Sequence, residues 1–145
     1  MKIAIGSDHG GFKLKQTIMK QLTELGYAYD DFGCYDTNSC DYPDFALPVA
    51  QAVVNGEYEQ GILICGTGIG MSMVANKVKG IRAALCSDVF SARRAREHNN
   101  ANILCLGESA IGKGHACEIV KNYLNAEYER GRHVPRLQKM HSLEQ

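Results

Sequence analysis

The sequence predicts an α/β protein with a five-stranded parallel sheet. Short β-branched or apolar runs alternate five times with longer amphipathic stretches, the pattern of successive βαβ units. The third run, Gly61-Ile62-Leu63-Ile64-Cys65, is apolar on both faces, as a central parallel strand covered by helices on each side must be. Size agrees: 145 residues, 45% hydrophobic and 22% charged, suffice for one core and are too few for two ordinary domains, so residues 1–145 are expected to form a single domain.

The first strand runs from Lys2 to Gly6. After Ser7-Asp8-His9-Gly10-Gly11, the residues Phe12, Leu14, Ile18, Leu22 and Leu25 form an apolar helical stripe, and Gly26 supplies the C-cap. A second strand, about Tyr27 to Phe32, leads into a loop holding Asp41-Tyr42-Pro43-Asp44. Asp44 is a candidate N-cap for a helix to about Val54, in which Pro48 is tolerable only near the first turn. The third strand gives way to Gly66-Thr67-Gly68-Ile69-Gly70 and a helix from Met71 to Lys77, ended by Gly80. Ile81 to Leu85 is the fourth strand, Ser87 or Asp88 caps a helix from Val89 to His98, and Asn102 to Leu106 is the fifth strand. The last predicted helix covers about Gly114 to Tyr128, and Arg130-Gly131-Arg132-His133-Val134-Pro135-Arg136 opens a basic tail over about 130–145.

Charge and targeting signals narrow the class of partner. Lys plus Arg and Asp plus Glu number 16 each, so no excess positive charge drives binding to nucleic acid or an anionic membrane. No stretch approaches the roughly 20 apolar residues of a membrane span, and Asp8 interrupts the N-terminal run too early for a signal peptide. The chain is therefore expected to be cytoplasmic, with Cys34, Cys40, Cys65, Cys86, Cys105 and Cys117 reduced. The absence of a Cys-x-x-Cys pair, and of ligand spacing among His9, His98, His115, His133 and His141, speaks against zinc.

In an open α/β sheet, ligands bind beyond the carboxyl ends of the strands, where three loops lie: Ser7-Asp8-His9-Gly10-Gly11, Cys65-Gly66-Thr67-Gly68-Ile69-Gly70 and Cys86-Ser87-Asp88. The loop after Cys65 exposes successive amides and opens a helix, an arrangement that stabilises an anion. It is neither a Walker loop nor a Gly-x-Gly-x-x-Gly fingerprint, and Met71 stands where a phosphatase loop would need arginine. Read alone, it fits a tight strand-to-helix turn equally well. Cys65 ends its strand where those amides converge, a setting that favours thiolate and suits a base or nucleophile; the alternative is a small buried hydrophobe. Asp8 and His9 lie on the same edge, either as an acid/base pair or as a helix cap beside an exposed histidine. Tyr42-Pro43 is a turn or a pocket wall. His98 presents a geometric problem, because a helix of about ten residues climbs roughly 15 Å and returns the chain to the opposite sheet edge. His98 then meets Cys65 only across a subunit boundary, or is simply a C-terminal histidine favoured by the helix dipole. Arg132 and Arg136 could grip a phosphate or lie in a solvated tail.

The ordered set Gly6-Ser7-Asp8-His9-Gly10-Gly11, Asp41-Tyr42-Pro43-Asp44, Cys65-Gly66-Thr67-Gly68-Ile69-Gly70, Ala75-Asn76-Lys77, Gly80-Ile81-Arg82-Ala83, Arg96-Glu97-His98-Asn99 and Gly131-Arg132-His133 resembles the ribose-5-phosphate isomerase B family, which also contains the galactose-6-phosphate isomerase subunits. The resemblance implies a Rossmann-like three-layer α/β/α sandwich and an aldose-ketose isomerase that needs neither metal nor cofactor. It also implies a homodimer, or a dimer of dimers, with active sites shared between subunits. By the same resemblance, Cys65 is the base, His98 assists ring opening and Thr67 handles protons at the sugar oxygens. The amides of Gly66, Gly68, Ile69 and Gly70 stabilise the enediolate, Asp8, Tyr42 and Asn99 contact the sugar, and His9, Arg132 and Arg136 hold the phosphate. One departure stands out. Many relatives carry an arginine in a Gly-x-Arg context after the fifth strand, where this chain has Gly107-Glu108-Ser109-Ala110. That opens two alternatives to ribose 5-phosphate turnover: isomerisation of a six-carbon sugar phosphate such as allose 6-phosphate or galactose 6-phosphate, or a non-catalytic sugar-phosphate-binding subunit. Nucleotide binding lacks its fingerprint, although Asp30 and Asp31 lie near the second strand.

Overall fold

The computed structural model describes residues 1–144. Its strands are β1 (Lys2–Ser7), β2 (Ala28–Asp31), β3 (Gln60–Cys65), β4 (Ala83–Leu85) and β5 (Ile103–Gly107). The helices are α1 (Phe12–Leu25), α2 (Pro43–Val54), α3 (Ile69–Ala75), α4 (Val89–Glu97), α5 (Lys113–Asn125) and α6 (His133–His141), and one 3-10 turn, His9–Gly11, precedes α1. All five strands pair in parallel in the order β2-β1-β3-β5-β4.

Alternation along the strands builds the layers. Ile3, Ile5, Ile62, Ile64, Leu104 and Leu106 face one side and pack against Leu14, Ile18 and Leu22 of α1, Ala92 and Ala95 of α4, and Ile119, Val120 and Tyr123 of α5. Ala4, Leu63, Cys65, Ile103 and Cys105 face the other side, against Ala46, Val49, Ala50 and Val53 of α2 and Met71 and Ala75 of α3. The result is a Rossmann-like α/β/α sandwich. Both central strands β3 and β5 are buried end to end, which is why their sequences read as continuous apolar runs. Among the described residues, no helix is long and apolar enough to cross a membrane.

Most boundaries shift by one or two residues from the sequence reading, helix α3 among them at Ile69–Ala75 instead of Met71 to Lys77, and four differences have a clear cause or consequence. Helix α2 starts at Pro43, and Asp44 lies inside its first turn with no side-chain cap bond, because a leading proline loses only an amide that has no helical partner anyway. Strand β4 begins at Ala83 instead of Ile81; the Arg82 amide donates to the Asn102 side chain at 2.7 Å. Helix α5 ends at Asn125 because Ala126 is extended. The segment expected as a basic tail contains α6, which buries His133 and Leu137 and is tied down by the Gly80 amide donating to Glu144 Oε2 at 3.0 Å. Pro135 falls in the first turn of α6, where proline is tolerated.

Candidate active site

Strands β1 and β3 are neighbours whose chain continuations diverge, to β2 on one side and to β5 and β4 on the other, so a crevice opens at their carboxyl ends. The Asp8 amide donates to the Ile64 carbonyl at 3.3 Å, joining the two strand ends. The Asp8 side chain is buried and accepts the Gly11 amide at 3.2 Å, capping the short turn. The exposed His9 accepts the Cys40 amide on Nδ1 at 3.2 Å, an arrangement that places the ring proton on Nε2 and leaves it as a donor. Tyr42 lies over the start of α3. A Cβ at position 70 would stand 2.7 Å from its ring, so glycine there is what lets the aromatic approach.

Cys65 is the last residue of β3 and faces the α2/α3 layer. Its thiol is nearly covered, at 5% exposure, because the following turn folds back and the Gly68 amide donates to Sγ at 3.1 Å. Gly68 adopts φ +78°, the left-handed region that side chains resist, and a Cβ there would lie 2.5 Å from Leu85 Cδ1 and 2.9 Å from the Leu106 carbonyl carbon. Thr67 is exposed and its Oγ1 accepts the Ile69 amide at 3.2 Å. From the β5 side, the Glu108 amide donates to the Cys65 carbonyl and the Ser109 amide to the Gly66 carbonyl, each at 2.9 Å. Ser109 therefore borders the turn, whereas the Glu108 carboxylate points to α1 and accepts the Leu14 amide at 2.6 Å.

A second cluster forms at the other end of the sheet. His98 is the C-cap of α4, and its ring stacks on that of His133 with centroids 4.2 Å apart and planes inclined by 19°. Glu129 Oε1 lies 3.5 Å from His98 Nε2 and 3.6 Å from His133 Nε2. Left-handed Arg130 and Gly131 turn the chain between Glu129 and His133. His133 is buried and its Nε2 has no hydrogen-bond partner. Burial first, then the neighbouring His98 and Arg132, hold its imidazole below the ordinary histidine value. Arg132 and Arg136 are exposed at the start of α6. Asn99 lines a cavity of about 360 Å³ with Asn76, Arg82, Ala84 and Met140.

The sequence-predicted residues thus separate into two groups. Asp8, His9, Tyr42, Cys65, Gly66, Thr67, Gly68, Ile69 and Gly70 gather at the carboxyl edge, while His98, Asn99, Arg132 and Arg136 gather near the amino edge. Gly61 pairs with Ile103 at one end of the β3/β5 ladder and Cys65 with Gly107 at the other, four residues and about 13 Å away. Sequence reasoning assigned no role to Glu129, or to the Cys40 amide that orients His9. It also discounted metal ligation on histidine spacing, yet His98, Glu129 and His133 come together as one potential ligand set, because the turn at Arg130-Gly131 and the end of α4 supply a proximity that no linear spacing records.

The Ribose/Galactose Isomerase family pattern matches residues 3–140. The solved structure of Clostridium thermocellum ribose-5-phosphate isomerase B superposes with a TM-score of 0.98 at 53% identity, covering 99% of this chain and 97% of that one. Trypanosoma brucei type B ribose 5-phosphate isomerase superposes at 0.96 with 46% identity, over 99% and 98% of the two chains. Ribose-5-phosphate isomerase B of Escherichia coli (strain K12) is 46% identical over 144 residues, 99% of this chain and 97% of the relative. With the glycine turn at a β1/β3 crevice and similarity over nearly the whole length, the chain belongs to the ribose/galactose isomerase family.

Proposed function

We propose that the protein interconverts ribose 5-phosphate and ribulose 5-phosphate through an enediolate, with Cys65 as the base. The observation that carries this is the placement of the Cys65 sulfur under the Gly68 amide of the Gly66–Gly70 turn, at the sheet edge where Asp8 and His9 also follow their strand. A hydrogen next to a carbonyl is weakly acidic, so its removal needs a positioned base and donors aimed at the oxygen that gains charge. The deprotonated Cys65 sulfur removes the C2 hydrogen of the open-chain aldose as the electron pair moves onto the C1 oxygen. Cys65 returns that proton to C1 while Thr67 carries a proton between the two oxygens, leaving the ketone at C2. The Gly68 and Ile69 amides are already turned onto Cys65 Sγ and Thr67 Oγ1, so the remaining amides of the turn stabilise the enediolate.

Asp8, Tyr42 and Asn99 contact the sugar, His9 donates from Nε2 to the phosphate with Arg132 and Arg136, and His98 opens the ring. The separation of the two residue groups supports a homodimer, or a dimer of dimers, in which one protomer supplies the Cys65 half and its partner the His98 half. Ser109, bordering the turn without a cation, favours a second reading in which a six-carbon sugar phosphate is preferred.

A panel of five- and six-carbon aldose phosphates in heavy water with EDTA tests both. Ribose 5-phosphate should gain solvent deuterium and convert to ketose. Cys65→Ala should lower turnover by at least about 10²-fold while retaining sugar-phosphate binding. Full activity of that variant removes the assigned base, and faster turnover of a hexose phosphate selects the second reading.

A further inference from the structure

The cluster at the amino edge has a feature that the isomerase reading does not use. His133 Nε2 is buried, lacks a hydrogen-bond partner and faces Glu129 Oε1 at 3.6 Å, with His98 Nε2 3.5 Å from the same oxygen. Both spacings are too long for good hydrogen bonds. They match the edge of a small coordination tetrahedron: metal-ligand bonds of about 2.0 to 2.2 Å at tetrahedral angles put neighbouring ligand atoms about 3.3 Å apart. All three ligand atoms lie within 4.8 Å of one another.

We propose that His98, His133 and Glu129 form a binding site for a borderline divalent metal ion of the zinc type, and that its occupancy inhibits the enzyme by engaging His98. Two imidazoles and one carboxylate suit zinc, copper or nickel better than magnesium or calcium, which prefer all-oxygen shells. The stacked rings direct their lone pairs at a common ion only after turning about their Cβ–Cγ bonds; His98, with 29% of its side chain exposed, is the ring freer to turn. Arg132 and Arg136 act electrostatically on His133. Their positive charge opposes a cation, so the ion is held reversibly. The site stands on its own geometry, whereas the inhibitory consequence rests on the isomerase reading.

The full chain, treated with EDTA and desalted, is titrated with Co²⁺ alone and followed by its visible d–d absorption. One Co²⁺ per chain should bind, be displaced by Zn²⁺ and resist Mg²⁺. Glu129→Gln and His133→Ala should each weaken binding at least about tenfold, while Cys65→Ala keeps the band and so excludes ligation through that thiol. Zn²⁺ should inhibit sugar-phosphate isomerisation reversibly, with EDTA restoring it, and Glu129→Gln should keep its metal-free activity while needing at least about tenfold more Zn²⁺ for the same inhibition. The proposal is overturned if no Co²⁺ band forms, if both Glu129→Gln and His133→Ala bind as the parent does, or if only Cys65→Ala loses the band. A Co²⁺ site in a chain without isomerase activity removes the functional reading and leaves the metal site, and the converse result does the reverse.

Discussion

Gly68 sets the surroundings of the Cys65 sulfur. Its left-handed backbone turns an amide onto the sulfur, and both the Leu85 methyl and the Leu106 backbone crowd the place where a Cβ would go. Gly68→Ala should lower kcat by more than about tenfold, with a smaller change in KM, and should lower Tm. Steady-state kinetics and thermal unfolding together check this. His133 sets a pH dependence. Its folded imidazole titrates below the ordinary value, so on acidification the unfolded chain binds the proton first and stability falls as pH drops below about 6.5. Tm measured between pH 7 and pH 5 should decline less steeply in His133→Asn than in the parent. At this scale the position of Cys65 was legible, because an apolar run reads directly as a buried strand and the cysteine is its last residue. The ligand-like meeting of His98, Glu129 and His133 was not, since the three share no local pattern and are joined by a turn whose Arg130 adopts a backbone conformation that composition does not announce.

Five of the six helices were legible in the sequence, their ends less so, and α6 was not. Helix α6 shows why: with Arg132, Arg136 and Lys139 around Pro135 it reads as a polar tail, and only contact with the rest of the molecule reveals that Leu137 is a buried anchor. Leu137→Ala should cost about 2 kcal/mol or more in denaturant unfolding. Because α6 carries Arg136 and begins beside Arg132, the same change should raise KM for a phosphorylated sugar more than it lowers kcat. Equal loss in both parameters would separate α6 from substrate binding. The start of α2 teaches a similar lesson, since Pro43 leads the helix where Asp44 looked the better cap.

Across the whole molecule, five parallel strands could be counted from the alternation of runs, but their lateral order could not, because pairing partners leave no mark on a single strand. The order β2-β1-β3-β5-β4 is what sets the crevice between β1 and β3, while the parallel link from β4 to β5 carries α4 back to the far edge. Inactive Cys65→Ala mixed with inactive His98→Asn under conditions of subunit exchange should recover roughly a quarter of parental activity, the share expected when half the pairs are mixed and each holds one intact site. No recovery despite proven exchange would place each site within one chain. The distance between the two sheet edges also bears on how output depends on abundance. Under the proposed sharing of sites a solitary copy holds no complete site, so once copies are dilute enough to part, the number of working pairs climbs with the square of the chain concentration, and a modest fall in expression dims the reaction out of proportion.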